Sequence, residues 1–359
     1  MKDPRRARAD ALIRNVSASF KTDGLLGRAK NMRRKFLSFS SGSISLDLAL
    51  GKGWPFGRMV LLLGEYSTGK TVLALKASGE VKKIDSTTKL KPPKGATPDS
   101  PGITLFVDFE GTFDEEWAKC HGFDPETDYL CVPEYAQQGI DVVQAAIEEN
   151  IVDLIIVDSV AAMTPKEEAE ASAEDWQVGL QARIIGKALR KWQAALQEHA
   201  QKTGLPGPCI MLLNQFRLKV GKEAMFGDPR IAPGGKAQHF YSSITLMTQS
   251  QAYEDTTDKE VGTVNLRGQI SKNKMAPPKK KYNFEMALKN LPDLPKGHVN
   301  NARPLVDQAK KYKLLKKVKG GYEFGSHSFR TQDEVIAKVR GLPELQNLMW
   351  RSVLQAAES

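Results

Sequence analysis

Residues 64–71 read Gly-Glu-Tyr-Ser-Thr-Gly-Lys-Thr, a glycine followed by four free positions and then Gly-Lys-Thr. A glycine turn of this spacing lets backbone N–H groups point inward around a di- or triphosphate with no side chain in the way. The apolar run 59–63 predicts a buried strand before the turn, and 72–75 predict the start of a helix after it. The stretch therefore predicts a nucleoside triphosphate site on an α/β sheet.

The end of this phosphate loop carries the two side chains that such a site needs. The Lys70 ammonium is at the position that reaches the β- and γ-phosphates, and the Thr71 hydroxyl is at the position that binds Mg²⁺. The predicted nucleotide-binding residues of the loop are Gly64, Glu65, Tyr66, Ser67, Thr68, Gly69, Lys70 and Thr71.

Three further apolar runs are followed by polar side chains at their carboxyl ends. They are 104–108 before Glu110, 154–158 closing on Asp158, and 209–213 before Asn214 and Gln215. In open α/β sheets the chemistry gathers at the carboxyl ends of the strands. We therefore expect Glu110 to polarise an attacking water, and Asp158 to orient Mg²⁺ through water.

Length and composition are typical of a multidomain enzyme outside the membrane. A chain of 359 residues suggests two or more domains. No apolar run reaches membrane-spanning length, and no hydrophobic segment of the signal-peptide type follows the basic N-terminus. The three cysteines have no metal or redox spacing, so we expect reduced thiols and a cytoplasmic location.

The net charge of +10 is concentrated in two regions of the chain. Residues 1–35 hold eleven basic and three acidic residues, and residues 272–319 hold fourteen basic and three acidic residues. Two basic regions flanking an acidic middle indicate a polyanionic partner held outside the nucleotide site. A solvated lysine-rich surface explains the charge equally well, so charge alone leaves both readings open.

Several short stretches, in a fixed order, resemble the family of RecA-type DNA strand-exchange recombinases between about residues 40 and 281. They are 43–51, the phosphate loop, 157–162, 179–183, 214–215, 234–235 and 272–274. The resemblance implies a RecA-like P-loop ATPase core with a mostly parallel central sheet. It divides the chain into an N-terminal arm (1–39), the ATPase and DNA-binding core (40–285) and a small α/β C-terminal domain (286–359).

The resemblance also implies a function. The family members bind ATP and Mg²⁺, form helical filaments on single-stranded DNA, pair it with homologous duplex DNA and exchange strands. A ring-shaped helicase of the same core fold and a nucleotide-gated DNA scaffold that does not hydrolyse ATP are the alternatives. Intact Lys70 and Glu110 argue against the scaffold, and the glycine pair 234–235 with the lysines of 272–274 argues against the helicase.

Matching positions imply roles at the nucleotide. Glu110 matches the catalytic glutamate, Asp158 the Mg²⁺-orienting aspartate, and Gln215 the residue that senses the γ-phosphate. Asp114 and Trp117 fall where the family contacts adenine. Lys272 and Lys274 match lysines that face the γ-phosphate of a neighbouring subunit.

Other matching positions imply DNA contacts in two loops, 167–177 and 216–235, the second with five basic residues between Arg217 and Lys236. Val178 and Val220 match the residues that wedge between groups of bases. The remaining DNA-binding candidates are Arg183, Arg190, Arg217, Gly234, Gly235 and Lys236.

The chain also departs from the family pattern in three places. Residues 82–102 read as a surface insertion, Lys236 stands where bacterial members usually carry asparagine, and 354–359 lack the acidic tail of those members. We interpret these departures as signs of a divergent, phage-encoded member, and we assign no function to the insertion.

Overall fold

The computed structural model describes residues 4–20, 26, 37–51, 53–83, 101–171, 179–218, 230–249, 252–255 and 261–358. The helices are α1 (Pro4–Phe20), α2 (Ile44–Leu50), α3 (Lys70–Val81), α4 (Glu115–His121), α5 (Ala136–Glu149), α6 (Lys166–Glu170), α7 (Leu180–Thr203), α8 (Ala237–Tyr241), α9 (Ala302–Lys311), α10 (Gln332–Gly341) and α11 (Pro343–Glu358), with a 3₁₀ turn at Val160–Ala162. The strands are β1 (Ser38–Phe39), β2 (Trp54–Pro55), β3 (Met59–Gly64), β4 (Thr104–Asp108), β5 (Tyr129–Cys131), β6 (Leu154–Asp158), β7 (Cys209–Gln215), β8 (Arg217–Leu218), β9 (Arg230–Ile231), β10 (Ile244–Thr248), β11 (Ala252–Asp255), β12 (Val261–Asn273), β13 (Lys281–Ala287), β14 (Lys316–Val318), β15 (Gly321–Phe324) and β16 (His327–Phe329).

Nine of the described strands form one sheet in the order β11-β12-β10-β3-β7-β6-β4-β5, with β13 also paired to β12. The six strands from β10 to β5 are parallel, whereas β11, β12 and β13 pair antiparallel on one side. Parallel neighbours need crossover connections, which α3, α4, α5, α7 and α8 supply. The predicted α/β core with a mostly parallel sheet is confirmed.

The central strand β3 is held from both faces. Val60 and Leu62 pack into the apolar cluster that includes α3 and α4, and Leu61 and Leu63 pack into the cluster that includes α5 and α7. All four side chains are fully buried. Burial of such a side chain contributes about 1.5–3 kcal/mol. The phosphate loop therefore follows a strand whose position in the sheet is fixed by packing on both faces.

Helix α7 carries the predicted first DNA loop at its amino end. Its apolar face, which includes Ile185, Leu189 and Leu196, is buried against the sheet. Trp192 is also buried, and its indole Nε1 donates a hydrogen bond to the Ile140 carbonyl of α5 at 3.2 Å. The helix is thus fixed along its length, with its polar face left to solvent.

Residues 302–358 form a third apolar cluster around Leu305, Val335 and Met349. Ile44 of α2 inserts into this cluster. Asn301 ties the cluster to the core, because its amide donates to the Gly42 carbonyl at 2.8 Å and accepts from the Ile44 N–H at 3.1 Å. The residues before α2 therefore bridge the core and the C-terminal helices.

The N-terminal segment forms helix α1, and β1 pairs with β2 so that Phe39 and Trp54 lie in the core. The domain boundaries at residues 39 and 285 stay predictions. Residues 84–100 of the predicted insertion lie outside the described residues. Among the helices of the described residues, none has the length and apolarity that a membrane crossing requires.

Candidate active site

The phosphate loop connects β3 to α3 and depends on its two glycines. Gly69 has φ +84° at the start of α3, a left-handed conformation that favours glycine. A Cβ on Gly64 would lie 1.9 Å from the Thr248 hydroxyl and 2.6 Å from the Thr68 hydroxyl. The loop therefore has the curved backbone of an anion cradle, with no space for a side chain at Gly64 and a strained conformation for any other residue at Gly69.

Lys70 lies buried in this cradle and is turned onto the backbone. Its Nζ donates to the Glu65 carbonyl at 2.6 Å and to the Gly64 carbonyl at 3.4 Å. Burial lowers the pKa of Lys70, and the carboxylates of Asp158 and Glu110 partly oppose this. The Lys70 ammonium is bonded to two neutral carbonyls, and phosphate oxygens would give it charged partners. A buried ammonium beside a glycine cradle therefore fits the phosphates of a nucleotide.

Two side chains whose oxygen atoms can bind a metal, Thr71 and Asp158, lie next to Lys70. The Thr71 hydroxyl donates to the Asp158 carboxylate at 2.7 Å. Burial raises the pKa of Asp158 to about 6; the Thr71 hydrogen bond opposes the rise, and Glu110 and Asp108 add to it. Carboxylate and hydroxyl oxygens are the ligands that Mg²⁺ prefers, and a cation there would relieve the crowding of negative charge. The residues present fit the predicted metal.

Glu110 is presented by a loop that Asp108 holds. The buried Asp108 carboxylate accepts hydrogen bonds from three backbone amides of the turn, those of Glu110 at 3.0 Å, Gly111 at 2.9 Å and Phe113 at 2.9 Å. Asp108 is not among the site residues predicted from the sequence, although an aspartate just before a glycine turn is a known signal for this kind of capping.

The Glu110 carboxylate in turn meets two neighbouring strands. Its Oε1 accepts a hydrogen bond from the Ser159 hydroxyl and one from the Gln215 amide at 3.2 Å. Because β4, β6 and β7 are neighbours, their carboxyl ends converge as the sequence predicted. The carboxylate is exposed and oriented, which suits a group that must accept a proton or hold a water.

These groups line one cleft of about 400 Å³. Its polar side holds the phosphate loop with Glu110, Asp158 and Gln215, and its apolar side holds Trp117, Val264, Leu266, Met286 and Leu288. The apolar side suits a planar base. Trp117 was predicted from the sequence, but the four other apolar residues were not. They line the cleft because β12 and β13 lie on that side of the sheet, and this strand order cannot be read from local sequence patterns.

Trp117 is fixed at the start of α4. The Asp114 carboxylate accepts from the Trp117 N–H at 2.9 Å as the N-cap of the helix. The ammonium of Lys296 lies 5.3 Å from the centroid of the indole ring, and the ring of His121 packs edge-on against it at 4.7 Å. Asp114 thus serves here as a cap, and it does not line the cleft.

Lys272 and Lys274 lie at the other end of the sheet. The Lys274 N–H donates to the Ser243 carbonyl, and the Ser243 N–H donates to the Met59 carbonyl, where β3 begins. Five residues of strand, about 16 Å, separate that point from the phosphate loop. The Lys272 ammonium donates instead to the carbonyls of His239 and Phe240. Neither lysine lines the cleft of its own protomer.

The predicted DNA-binding residues are only partly described. Val178 and Val220 lie outside the described residues, as does the side chain of Arg217. Arg183 and Arg190 are exposed on α7, and Lys236 is exposed at the start of α8. Gly234 and Gly235 have φ values of +80° and +79° and pack close to α7.

The end of β7 links the cleft to the second predicted DNA loop. The buried Asn214 amide donates to the Pro233 carbonyl at 2.9 Å and to the Gln238 side chain at 2.7 Å. The loop that leaves β7 at Gln215 is therefore tied back to β7 where it returns. Two described contacts connect this loop to the phosphate site: the Gln215 amide donates to Glu110, and the Phe216 N–H donates to the Gly64 carbonyl at 3.2 Å.

Comparison with known proteins agrees with this geometry. Residues 7–290 match the model of the RecA N-terminal domain. Protein RecA of Staphylococcus carnosus (strain TM300) is 37% identical over 279 residues, which cover 77% of this chain and 71% of that protein. Protein RecA of Staphylococcus aureus, in strains JH9 and Newman, is 35% identical over 279 residues, covering 77% of this chain and 73% of those proteins. The chain therefore belongs to the RecA family.

Proposed function

We propose that this protein is an ATP-dependent homologous recombinase, which forms filaments on single-stranded DNA, pairs it with homologous duplex DNA and exchanges strands. One observation carries the proposal. A cleft at the carboxyl edge of the sheet is lined by Lys70, Glu110 and Gln215. Gln215 is followed directly by the predicted second DNA loop, which is hydrogen-bonded back to β7 through Asn214. Nothing among the relatives favours the helicase alternative.

The phosphate loop and Lys70 bind and orient the triphosphate. The cradle amides and the ammonium face the same anion, which allows Lys70 to exchange the Glu65 carbonyl for a phosphate oxygen. Thr71 and, through water, Asp158 would hold Mg²⁺, which would neutralise phosphate charge when bound. Trp117 and the aliphatic residues around it exclude water from the base.

Glu110 acts as the group that orients the attacking water. Its carboxylate already accepts two hydrogen bonds, from Ser159 and Gln215. Both hydrogen bonds end on Oε1, so Oε2 can accept a hydrogen bond from a water. Ser159 and Gln215 meanwhile fix the orientation of the carboxylate. Hydrolysis then depends on the orientation of the carboxylate.

Gln215 couples this cleft to DNA. Its amide bonds Glu110 at one end, and its backbone continues into the predicted second DNA loop, 216–235. Ordering of that loop on a phosphate backbone would shift Gln215 between Glu110 and the γ-phosphate. Arg183, Arg190 and Lys236, exposed beside the loop, and Arg217 within it would supply the sequence-independent DNA contacts.

Lys272 and Lys274 complete a neighbour's site. They lie at the end of the sheet opposite their own phosphate loop, so a head-to-tail filament, which repeats one heterologous contact, is the arrangement that brings them to a nucleotide. There they would neutralise transition-state charge. The arm 1–39 would contact the neighbouring subunit, and the C-terminal domain 286–359 would present its lysines to duplex DNA. A recombinase acts on chromosomal DNA, so we place it in the cytoplasm.

The test compares the full chain with Lys70→Ala. With ATP, Mg²⁺ and single-stranded DNA, the parent should form helical filaments visible by electron microscopy. It should also hydrolyse ATP faster than without DNA and exchange strands with a homologous duplex. Lys70→Ala should lose hydrolysis by about a hundredfold or more. ATP-driven unwinding without homologous pairing would favour the helicase, and pairing without hydrolysis by the parent would favour the scaffold.

A further inference from the structure

Thr248 ends β10 immediately beside the phosphate loop, and the assignments above give it no role. Its strand pairs with β3, with Met247 opposite Leu63, so the next residue on β10 lies alongside Gly64. The side chain is buried, 6% exposed. Its hydroxyl lies 2.6 Å from the Thr68 hydroxyl, inside the loop.

The hydrogen bonds of the two hydroxyls have a direction. Each threonine has a single hydroxyl proton. Either hydroxyl could donate across the 2.6 Å contact, and when the Thr68 proton lies on the Glu65 carbonyl, 2.8 Å away, the donor of that contact is Thr248. The second acceptor within reach of Thr248, the Leu63 carbonyl, is farther away at 3.2 Å. A chain thus runs from Thr248 through Thr68 to Glu65.

The Glu65 carbonyl at the end of this chain is also the one that holds Lys70. It accepts from the Lys70 ammonium at 2.6 Å in addition to Thr68. When Lys70 turns towards a phosphate, this carbonyl loses its charged donor. The Thr68 hydroxyl keeps it paired, which lowers the cost of the movement.

We propose that Thr248 is a positioning residue for the phosphate loop. It holds Thr68, and through it the Glu65 carbonyl, in the orientation that frees Lys70 for a bound phosphate. The inference rests on the proposed function only in that a nucleotide binds in this cleft. It also explains Gly64, because the pair of hydroxyls occupies the space where a Cβ would lie.

The test replaces the hydroxyl with a methyl group of the same shape. Thr248→Val should weaken ATP binding by the full chain roughly tenfold, as expected when a buried hydrogen bond loses its donor. KM for ATP should rise in parallel, while kcat at saturating ATP stays within about twofold. Thr248→Ser, which keeps the hydroxyl, should restore most of the affinity.

Thr245→Val is the matched control. Thr245 lies on the same strand, is fully buried, and its hydroxyl pairs with the Ser242 hydroxyl at 3.2 Å, about 10 Å along the strand from Thr248. Its replacement should leave ATP affinity unchanged. The double variant Thr68→Ala/Thr248→Val should bind ATP no more weakly than Thr68→Ala, because both changes break the same chain.

Three results would overturn the inference while the parent binds ATP normally. They are an unchanged affinity in Thr248→Val, an equal loss in Thr245→Val, and additive losses in the double variant. Failure of the parent itself to bind nucleotide is a different result, and it would refute the proposed function.

Discussion

The two ends of the central sheet differ in how their predicted functional residues relate to the cleft. At the carboxyl end, Lys70, Glu110 and Asp158 are joined to neighbouring side chains or backbone by hydrogen bonds and line one cleft. At the amino end, the Lys274 N–H donates to the Ser243 carbonyl, the Lys272 ammonium donates to carbonyls of α8, and neither lysine lines that cleft. In the proposed function, the lysines of a neighbouring subunit complete the site of one protomer, so assembly would be part of the catalytic mechanism.

A mixing experiment is the most stringent test of whether the two ends of the sheet, in neighbouring protomers, form one site. Glu110→Ala and Lys274→Ala should each lose ATPase activity about a hundredfold or more while still binding ATP. In an equal mixture, random head-to-tail assembly gives about a quarter of the interfaces an intact glutamate opposite an intact lysine. ATPase activity should return to roughly a quarter of the parent level.

A mixture of Glu110→Ala with Lys70→Ala is the control. Both residues belong to the carboxyl end of one protomer, so every site carries one defect and no activity should return. If the lysine mixture stays inactive although electron microscopy shows mixed filaments, the two ends do not share a site.

In the proposed function, the coupling between the cleft and DNA depends on Gln215. Gln215→Ala removes the amide that bonds Glu110 across the cleft, so DNA-stimulated turnover should fall roughly a hundredfold while the Kd for ATP changes little. Gln144→Ala is a matched control, because the Gln144 amide also donates to a glutamate, Glu148, but on the surface of α5. A Gln215→Ala protein that responds to single-stranded DNA like the parent would disprove this route.

A smaller effect is expected from the turn that presents Glu110. Asp108→Asn keeps the shape but leaves one acceptor oxygen for three amides, so either the Phe113 N–H or the pair at Glu110 and Gly111 loses its partner. We expect kcat to fall about tenfold with KM unchanged, since the loop positions the carboxylate without touching the nucleotide.

Asp124→Ala serves as the control for this prediction, because Asp124 accepts similar hydrogen bonds in a surface turn away from the cleft. A parallel rise in KM for Asp108→Asn would mean that Asp108 shapes the binding site as well as the turn.

Much of the carboxyl end could be predicted from the sequence. The phosphate loop has a fixed spacing, and the rule that parallel strands gather function at their carboxyl ends brought Glu110, Asp158 and Gln215 together. These are local patterns joined by one topological rule. The fold class follows from the same patterns, whereas the family was predicted from the resemblance of the short stretches between residues 43 and 274.

The supporting residues could not be predicted in this way. Thr248 reaches the phosphate loop only because β10 pairs with β3, a strand more than a hundred residues earlier in the sequence. Met286 lines the cleft because β13 pairs with β12 on that side of the sheet. The position of Lys272 and Lys274 relative to the cleft has the same origin. Val178 and Val220 fall outside the described residues, so their roles stay predictions.

The smallest expected effect concerns the base side of the carboxyl end, where His121 packs edge-on against Trp117. The imidazole is 1% exposed, and neither ring nitrogen has a hydrogen-bond partner among the described residues. Burial, together with the nearby Lys76 ammonium, lowers the pKa of His121 to about 4. Because the folded state disfavours the charged ring, this group's stabilising contribution is complete above pH 6.5 and is lost as the pH falls towards 4.

The free energy of unfolding of the parent should therefore fall more steeply than that of His121→Phe between pH 7.5 and 4, by about 3 kcal/mol. Carboxyls with raised pKa values, such as Asp47 and Asp158, change stability in the opposite sense, so only the difference between the two proteins is informative. His327→Phe, at an exposed position of β16, should follow the parent. Parallel pH profiles for the parent and His121→Phe in urea unfolding would show that the histidine is not buried in the neutral form. The packing of His121 against Trp117 would then be less tight than the structure indicates.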